Sequence, residues 1–275
     1  MAERKGDGWM RRPLWLLVAM ALVAAGCGGG WGSSIGSSGG SSAASSGGTL
    51  NVFAAASLTN AFDALGKTYG QQNPGWTVRL NYDGSDILAA QIEQGVPADV
   101  YAAASTKYPE QLQGENLLGD TTNFATNTLV LIVPADNPKN ITSVNDLTKD
   151  NAKLVIGDES VPIGSYTRDV LDGLGINIDD LNIVSQEQKV TDISAKVSLG
   201  EADAGFVYVT DAQAAGDKVK SIDLPADANA TATYPIGILT DSKNQEAAQR
   251  WIDLVMSSDG QQVLQSFGFG PAPSS

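Results

Sequence analysis

Two serines stand where an apolar strand pattern gives way to a helical one, and this position suits the binding of an anion. Ser57 follows the apolar run Leu50–Ala56 and precedes apolar residues at helical spacing that begin at Leu58. Ser85 follows a second strand pattern in the same way. The first N–H groups of a helix have no partner inside it, and the helix dipole adds partial positive charge there. Ser57 is therefore predicted to be a helix N-cap, and both turns offer donors to an anion.

Three further positions repeat this arrangement in the second half of the chain. The turns at Ile163–Gly164 and Val190–Thr191 each precede a helical pattern, and Tyr208 lies near the end of an apolar strand. A single serine cap or strand-end aromatic is more often purely structural, so the interpretation depends on the recurrence. If the two halves face each other, these donors surround one small space that suits a tetrahedral oxyanion. The candidate donors are therefore Ser57, Ser85, the backbone of the turns at Ile163–Gly164 and Val190–Thr191, and Tyr208.

The residue types that are missing exclude several kinds of chemistry. The 275-residue chain contains no histidine and a single cysteine, which removes the Ser-His-Asp triad, histidine-based zinc sites and an internal disulfide. The formal net charge of −14 argues against nucleic acid as a partner. The acidic pairs Asp179–Asp180 and Glu201/Asp203 match no calcium loop and are interpreted as solvated helix ends. No catalytic residue, cofactor or metal site is predicted.

The N-terminus has the pattern of a secretion signal. A basic start precedes the short apolar run Leu14–Ala25. The small residues of Val23–Cys27 resemble the lipobox of bacterial lipoproteins, which implies a signal peptide over residues 1–26 and a lipid on Cys27. Residues 28–48 are nearly all glycine, serine and alanine, so residues 27–48 are predicted to be a lipid-anchored flexible tether. The alternative is an ordinary secretory signal with an incidental cysteine.

From residue 49 onward, strand and helix patterns alternate, which predicts an α/β fold with mostly parallel sheets flanked by helices. The patterns fall into two sets and predict two lobes with a cleft between them. Lobe 1 comprises residues 49–127 and 235–275, and lobe 2 comprises residues 128–234. A hinge is expected near Asn127–Thr128 and Tyr234–Pro235. The predicted strands are Leu50–Ala56, Trp76–Tyr82, Asp99–Ala104, Thr128–Val133, Lys153–Gly157, Ala204–Val209 and Thr233–Leu239.

Three segments resemble landmarks of the molybdate-binding components of bacterial ABC importers. These segments are Val52–Ala61, Gln91–Val100 and Gly200–Ala212, and they occur in the order found in that family. The resemblance covers residues 49 to about 270, the whole predicted folded part. It implies a type II periplasmic-binding-protein-like fold, with the ligand in the cleft between two lobes.

The resemblance also implies a set of ligand-binding residues. In that family, two serines, two backbone N–H groups and a tyrosine hydroxyl hold the oxyanion. These roles fall on Ser57, Ser85, Ile163, Val190 and Tyr208. Ile163 stands where alanine is usual, so its larger side chain is expected to narrow the pocket, and the register of Val190 is uncertain by about one residue.

Two acidic residues depart from the family pattern around the second serine. Asp83 and Asp86 flank Ser85, where small or polar residues are usual. A carboxylate that pointed into the cleft would repel a dianion. Both side chains are therefore expected to face solvent.

The function that the resemblance implies is capture of molybdate, and also of tungstate, outside the cytoplasmic membrane. The partners would be the small oxyanion and an ABC permease with its ATPase subunit. The protein would be a monomer, held to the outer face of the membrane through the lipid on Cys27. It would be neither an enzyme nor a nucleic-acid-binding protein, and it would need no cofactor.

Three alternatives remain open from the sequence. The first keeps the class of protein but changes the ligand to sulfate or an organic anion. The second is a hydrolase that uses Ser57 or Ser85, although no histidine or Ser-x-x-Lys motif is present to activate either serine. The third is a surface-tethered interaction protein whose cleft binds no small molecule.

Overall fold

The computed structural model describes residues 47–273, and within them nine strands are flanked by eight α-helices. The predicted signal peptide, Cys27 and nearly all of the predicted tether lie outside the described residues. The strands are β1 (Gly48–Ala55), β2 (Trp76–Asp83), β3 (Val100–Ala102), β4 (Leu118–Pro134), β5 (Leu154–Gly157), β6 (Ile183–Glu187), β7 (Ala204–Tyr208), β8 (Val219–Asp223) and β9 (Thr231–Leu239).

Helices follow most of the strands and cover the faces of the sheet. They are α1 (Thr59–Gln72), α2 (Ser85–Glu93), α3 (Lys107–Gly114), α4 (Pro162–Gly173), α5 (Val190–Ser198), α6 (Val209–Ala215), α7 (Gln245–Met256) and α8 (Ser258–Ser266). None of the helices between residues 47 and 273 combines the length and apolar character that crossing a bilayer requires.

The sheet consists of two parallel sets joined by antiparallel strands. Its order is β2-β1-β3-β9-β4-β7-β5-β6, with β8 paired to β4 off this path. β1 is parallel to β2 and β3, and β5 is parallel to β6 and β7. The antiparallel partners β9 and β4 lie between these sets. The predicted α/β class, with parallel strands flanked by helices, is confirmed.

The long strand β4 carries the chain from one parallel set to the other. Its residues Leu118–Thr128 pair with β9, and the pairing with β7 begins at Leu129. The sequence predicts only Thr128–Val133 as a strand here, because the first half of β4 contains polar residues such as Thr121 and Asn123 and lacks a continuous apolar run. The pairing of these residues with β9, rather than their apolar character, makes them a strand.

Several short elements have no counterpart among the sequence predictions. These are α3, β6, α6, β8 and α8. β7 ends at Tyr208, one residue before its predicted end, because Val209 already belongs to α6. Short helices and strands contain too few residues for a clear hydrophobic period, so their formation depends mainly on packing against the rest of the fold.

An aromatic cluster joins the helices of the first set to the centre of the sheet. The Trp251 ring of α7 meets Phe62 of α1 at 5.3 Å between ring centroids, and Phe62 meets Phe124 of β4 at 5.8 Å. Phe124 then meets Tyr234 of β9 at 6.2 Å. These side chains are fully buried, and each fully buried aromatic contributes about 1.5–3 kcal/mol of hydrophobic stabilisation. The packing fixes the position of Tyr234 at the edge of the site described next.

Candidate anion-binding site

A small cavity lies where the parallel strands of both sets reach their carboxyl ends. Residues that end or follow β1, β2 and β3 line one side, and residues that end or follow β5, β6 and β7 line the other. Open α/β sheets characteristically bind ligands at such ends, where helix N-termini gather. The cavity brings together all five predicted donors, namely Ser57, Ser85, Ile163, Val190 and Tyr208.

Ser57 does not cap a helix, so the N-cap prediction is wrong. It is the middle residue of a 3-10 turn, Ala56–Leu58, and Leu58 occupies the N-cap position of α1. This tight turn moves the start of α1 one residue beyond the predicted point, from Leu58 to Thr59. The Ser57 hydroxyl instead lies 2.9 Å from the Tyr234 hydroxyl of β9. It therefore remains at the cavity wall and makes no capping bond.

Ser85 is the first residue of α2, and its hydroxyl oxygen already accepts a hydrogen bond. The Ala104 N–H donates to Ser85 Oγ at 3.1 Å, and the Tyr101 hydroxyl donates to the Ser85 carbonyl at 2.7 Å. Ser85 is only 1% exposed. A backbone N–H can only donate, so the Ser85 oxygen is the acceptor in this bond and its own proton is available to a ligand.

Ile163 and Val190 present backbone N–H groups from the first turns of α4 and α5. Inside α4 the first N–H to donate is that of Gly164, which reaches the Val161 carbonyl at 3.0 Å. Ile163 comes before it, at the second helical position, where N–H groups have no intrahelical acceptor. Val190 occupies the first position of α5, which has the same property. Both residues line the cavity.

The larger side chain at position 163 is accommodated by a glycine. A Cβ atom on Gly157 would lie 2.7 Å from Ile163 Cγ2 and 2.6 Å from the Gly164 nitrogen. Real Cβ atoms do not approach so closely, so the end of β5 can pass beside α4 only because residue 157 has no side chain. Ile163 is 2% exposed and packs partly into the space that Gly157 leaves.

Tyr208 ends β7 and lines the cavity. The residue is 1% exposed, and its hydroxyl has no hydrogen-bond partner within residues 47–273. Burial, reinforced by the neighbouring Tyr234, raises the pKa of Tyr208 well above its ordinary value. The phenol therefore keeps its proton and can donate it to an anion. Leaving a buried donor without a protein partner is costly, so this hydroxyl is suited to donate to a bound acceptor.

Asp83 and Asp86 are half-buried and engage groups of the protein, so neither points freely into solvent as predicted. Asp83 lines the cavity, where it forms an ion pair with Lys189 at 3.2 Å and accepts the Gly84 N–H at 2.9 Å. One Asp86 oxygen accepts from the Ser160 hydroxyl at 3.3 Å, and the other is buried with no donor within the described residues. Lys189 and Ser160 both belong to the set of strands across the cavity, so the close approach of the two sets partly covers these carboxylates.

The approach of the two sets depends on Gly84. A Cβ atom on this residue would lie 2.6 Å from the Gln188 carbonyl oxygen, which follows β6 on the other side. Its φ of −57° is open to any residue, so the glycine is needed for the close approach and not for its backbone conformation. The Tyr108 hydroxyl also donates to the Ser160 carbonyl across the same gap. The cavity is therefore walled on both sides.

Sequence reasoning missed four residues that shape the site. Lys189 neutralises Asp83, Ala104 supplies the N–H to Ser85, and Tyr234 and Asn127 lie behind Ser57. From the sequence, Asn127 and Tyr234 are predicted only to be hinge positions. Asn127 stands between Thr126 and Thr128 in the polar half of β4, so no local pattern marks it as a buried group that needs internal partners.

No metal site is visible in the part of the chain that the structure describes. Residues 47–273 contain no group of three or more histidine, cysteine or acidic side chains that could hold a metal ion. The cavity instead presents hydroxyl and backbone N–H donors, which suit an anion.

Comparison with known proteins places the chain in a family. The family described as bacterial extracellular solute-binding protein matches residues 50–270. The molybdate-binding protein ModA of Mycobacterium tuberculosis is 42% identical over 219 residues, which are 79% of this chain and 83% of that protein. The chain belongs to the bacterial extracellular solute-binding proteins, in the group that includes ModA.

Solved structures of solute-binding proteins share the fold. The substrate-binding domain of a molybdenum ABC transporter from Clostridium difficile, described as putative, is 33% identical, with a TM-score of 0.63 over 82% of this chain and 99% of that one. The sulfate-binding protein SubI of Mycobacterium tuberculosis has a TM-score of 0.72 at 18% identity, over 82% of this chain and 87% of that one. The second likeness concerns the fold alone.

The second family landmark has a structural role in this solute-binding protein. The Asp99 carboxylate accepts the Asn51 N–H at 2.8 Å, the Ser242 hydroxyl at 2.7 Å and the Asn244 amide at 3.1 Å. It thereby ties the start of β1 to the segment between β9 and α7. Asp99 lies at the opposite end of β3 from the cavity, so it holds the strands that present the site and does not itself face it.

Proposed function

We propose that this protein binds molybdate in the cavity, as an extracytoplasmic solute-binding protein of an ABC importer. The observation that carries the proposal is that five residues with neutral donor groups, from two sets of strands, line one cavity. Each hydrogen bond to an ionised acceptor contributes about 1.5–3 kcal/mol. Five such bonds, less the cost of desolvating a dianion, are sufficient for micromolar or tighter binding. The 42% identity to a molybdate-binding protein supports the choice of ligand.

Selectivity would follow from the donor character of the site. A protonated oxyanion such as hydrogen phosphate needs an acceptor for its proton, whereas molybdate and sulfate at neutral pH do not. The carboxylate of Asp83 lines the cavity, but Lys189 and the Gly84 N–H already engage it. Tungstate has nearly the same size and charge as molybdate and is expected to bind about equally. Sulfate is smaller and is expected to bind more weakly.

The same proposal assigns a place and partners to the protein. The family is extracellular, and the lipobox-like segment before Cys27 favours an anchor on the outer face of the cytoplasmic membrane. The protein would act as a monomer, without a cofactor, and would deliver its ligand to a permease that a separate ATPase subunit drives. Mass spectrometry of the mature N-terminus tests the anchor, and an unmodified Cys27 would contradict it.

Calorimetry of the native protein with an oxyanion panel tests the ligand. We expect tight binding of molybdate and tungstate, weaker binding of sulfate, and little response to phosphate. A tight sulfate response without a molybdate response would replace the proposed ligand. A crystal grown with molybdate should show anomalous scattering between Ser57 and Tyr208.

An assay of ester hydrolysis tests the enzymatic alternative. The relatives of known function are binding proteins, and the chain has no histidine to activate Ser57. We therefore expect no turnover by the native protein. Sustained turnover that Ser57→Ala abolishes would establish a hydrolase instead.

A further inference from the structure

We propose that Tyr234 and Asn127 are positioning residues that fix the Ser57 hydroxyl as a donor toward the bound anion. The inference rests on the proposed function. Ser57 Oγ lies 2.9 Å from Tyr234 Oη, and Asn127 Nδ2 lies 3.4 Å from the same phenol oxygen. Ser57 lines the cavity, and the other two residues lie behind it, fully buried. We call Asn127, Tyr234 and Ser57 the donor chain.

The direction of the donor chain is set first at Asn127. The Thr128 N–H donates to Asn127 Oδ1 at 3.0 Å. Nδ2 therefore faces Tyr234 Oη and the Thr210 hydroxyl, which is 2.9 Å away. An inverted amide would place its NH₂ group against the Thr128 N–H, and two donors would then face each other. Asn127 thus donates to Tyr234 and cannot accept the phenol proton.

The phenol proton of Tyr234 then has one acceptor. Among the described residues, Ser57 Oγ and Asn127 Nδ2 are the hydrogen-bond partners of Tyr234 Oη. If Ser57 donated to Tyr234, the phenol proton would be buried without an acceptor, which is unfavourable. Burial raises the pKa of Tyr234, so the proton stays on the phenol. Tyr234 therefore donates to Ser57 Oγ, and the Ser57 proton is directed away from Tyr234.

Ring packing keeps the Tyr234 phenol in place. Its ring meets those of Phe124, Tyr208 and Phe269 at centroid distances of 6.2, 6.1 and 5.3 Å, all with nearly edge-on geometry. A phenol held on three sides keeps its hydroxyl at a fixed point. The Ser57 hydroxyl consequently meets an oriented donor and not a mobile one.

Tyr234 occupies an acceptor position of the Ser57 hydroxyl, as the Ala104 N–H does for the Ser85 hydroxyl. Both serine oxygens accept a hydrogen bond from the protein, so both hydroxyl protons remain for the ligand. A serine whose proton turned toward Tyr234 would present only lone pairs to the ligand and would accept the proton of hydrogen phosphate. Tyr234 would therefore act through Ser57 on the discrimination between molybdate and phosphate.

A double-mutant cycle measured by calorimetry tests the inference. Tyr234→Phe removes the phenol and keeps the ring, Ser57→Ala removes the hydroxyl, and the third protein carries both changes. Ser57→Ala should weaken molybdate binding about 10- to 100-fold. Tyr234→Phe should weaken it about 3- to 10-fold in the native background and less than about 2-fold in the Ser57→Ala background, because it acts through Ser57. Tyr234→Phe should also narrow the discrimination against phosphate by a similar factor.

Tyr69→Phe is the matched control, because it also removes a buried phenol. The hydroxyl of Tyr69 in α1 donates to the carbonyl of Ala247 in α7 at 2.9 Å. Neither residue lines the cavity. Tyr69→Phe should lower the melting temperature and leave molybdate affinity and selectivity unchanged. This control separates a general loss of packing from an effect at the site.

The outcomes separate the donor chain from the proposed function. If the effects of Tyr234→Phe and Ser57→Ala multiply fully, or if phosphate discrimination is unchanged, the donor chain is wrong while the proposed function stands. If the native protein binds sulfate and not molybdate, the proposed ligand is wrong, and the same cycle run with sulfate decides the donor chain. If it binds no oxyanion, both proposals are wrong.

Discussion

At the scale of single residues, the donors that the site can offer depend on which hydroxyl groups already form hydrogen bonds within the protein. The Ser85 oxygen accepts from a backbone N–H, and the Tyr208 hydroxyl has no partner in the described part of the chain. Ile163 and Val190 contribute through their main chain, so their side-chain types matter mainly for packing. Each group can donate to an oxyanion without carrying a charge, which is compatible with a protein of net charge −14.

Replacing Ser85 by alanine tests one donor directly. The change removes a donor to the anion and leaves the Ala104 N–H without its acceptor. We expect molybdate affinity to fall by about 1.5–3 kcal/mol and the free energy of unfolding to fall by about 1 kcal/mol. Ser198→Ala is the control, because that hydroxyl returns to the Ser194 carbonyl of its own helix. Equal calorimetric affinities for the two variants would exclude Ser85 from the site.

Titration of Asp211 should make the free energy of unfolding depend on pH. Burial raises the pKa of Asp211 to about 7, above the value of about 3.9 in an unfolded chain. Between these values the folded state binds more protons, so the free energy of unfolding falls as pH rises, by at most about 1.4 kcal/mol per pH unit. Above about pH 7 this contribution is constant.

Asp211→Asn should remove that dependence. The variant keeps the size of the side chain but does not titrate, so its stability should fall less than that of the native protein between pH 5 and pH 8 (roughly the window set by the pKa). Urea unfolding at pH 5 and pH 8 measures how much the free energy of unfolding changes in each protein. Contributions from other titrating groups cancel when the two changes are subtracted. Parallel pH dependence of the two proteins would show that Asp211 titrates normally.

At the scale of elements, short turns bring the donors to one place. A 3-10 turn follows β1, Gly84 joins β2 to α2, and Pro162 begins α4 beside the end of β5. The third family landmark has a similar role, since Gly205 of β7 allows close packing. A Cβ atom there would lie 2.7 Å from Ile193 Cγ2 of α5. The glycine therefore sets how closely α5, which begins with Val190, approaches the sheet.

Gly84→Ala should hinder closure of the cavity. A methyl group at this position would meet the Gln188 carbonyl oxygen of the opposite wall, so the two sets of strands would have to separate. We expect molybdate to bind at least about 10-fold more weakly, since a clash of this kind costs about 1–3 kcal/mol. Small-angle scattering should show a smaller ligand-induced compaction than in the native protein.

Gly114→Ala provides the comparison for this prediction. A Cβ atom on Gly114, at the end of α3, meets nothing within 4 Å. This variant should bind molybdate as the native protein does. If Gly84→Ala bound equally well, the close contact with Gln188 would not be needed for binding.

At the scale of the whole molecule, a protein with a net negative charge must bind an anion. The net charge of −14 opposes the approach of a dianion over distances up to a Debye length, about 8 Å at physiological salt. The positive charge of Lys189 lies at the cavity, but Asp83 is paired with it at 3.2 Å. Lys189 belongs to one wall and Asp83 to the other, so separating the walls would break this pair and expose the positive charge to the ligand.

Asp83→Asn should therefore speed the capture of molybdate. We expect the association rate constant to rise about 2- to 5-fold at low ionic strength and the difference to vanish near 1 M salt. Stopped-flow measurements over a range of salt concentrations give these rates. Asp253→Asn on α7 changes the net charge equally but lies on an exposed surface, so it should have little effect. Equal acceleration by both variants would indicate a role for net charge alone.

The positions of the five candidate donors follow from the sequence, because strand, turn and helix starts are encoded locally. Predicted strands end shortly before Ser57, Ser85 and Ile163, and near Tyr208. Val190 is marked only by the turn and the helical pattern around it, because β6 is not predicted. The α/β class follows from the same alternation. Binding by these five residues stays a prediction.

Tertiary structure alone decided what each of these groups meets. Ser57 and Tyr234 are 177 positions apart, and no local pattern links them. The fit of Ile163 beside Gly157, the Asp83–Lys189 pair and the polar half of β4 likewise depend on neighbours that packing supplies. A local sequence pattern determines the position of a donor residue at the end of a strand or the start of a helix. The direction in which its proton points depends on neighbouring polar groups, and these come from distant parts of the chain.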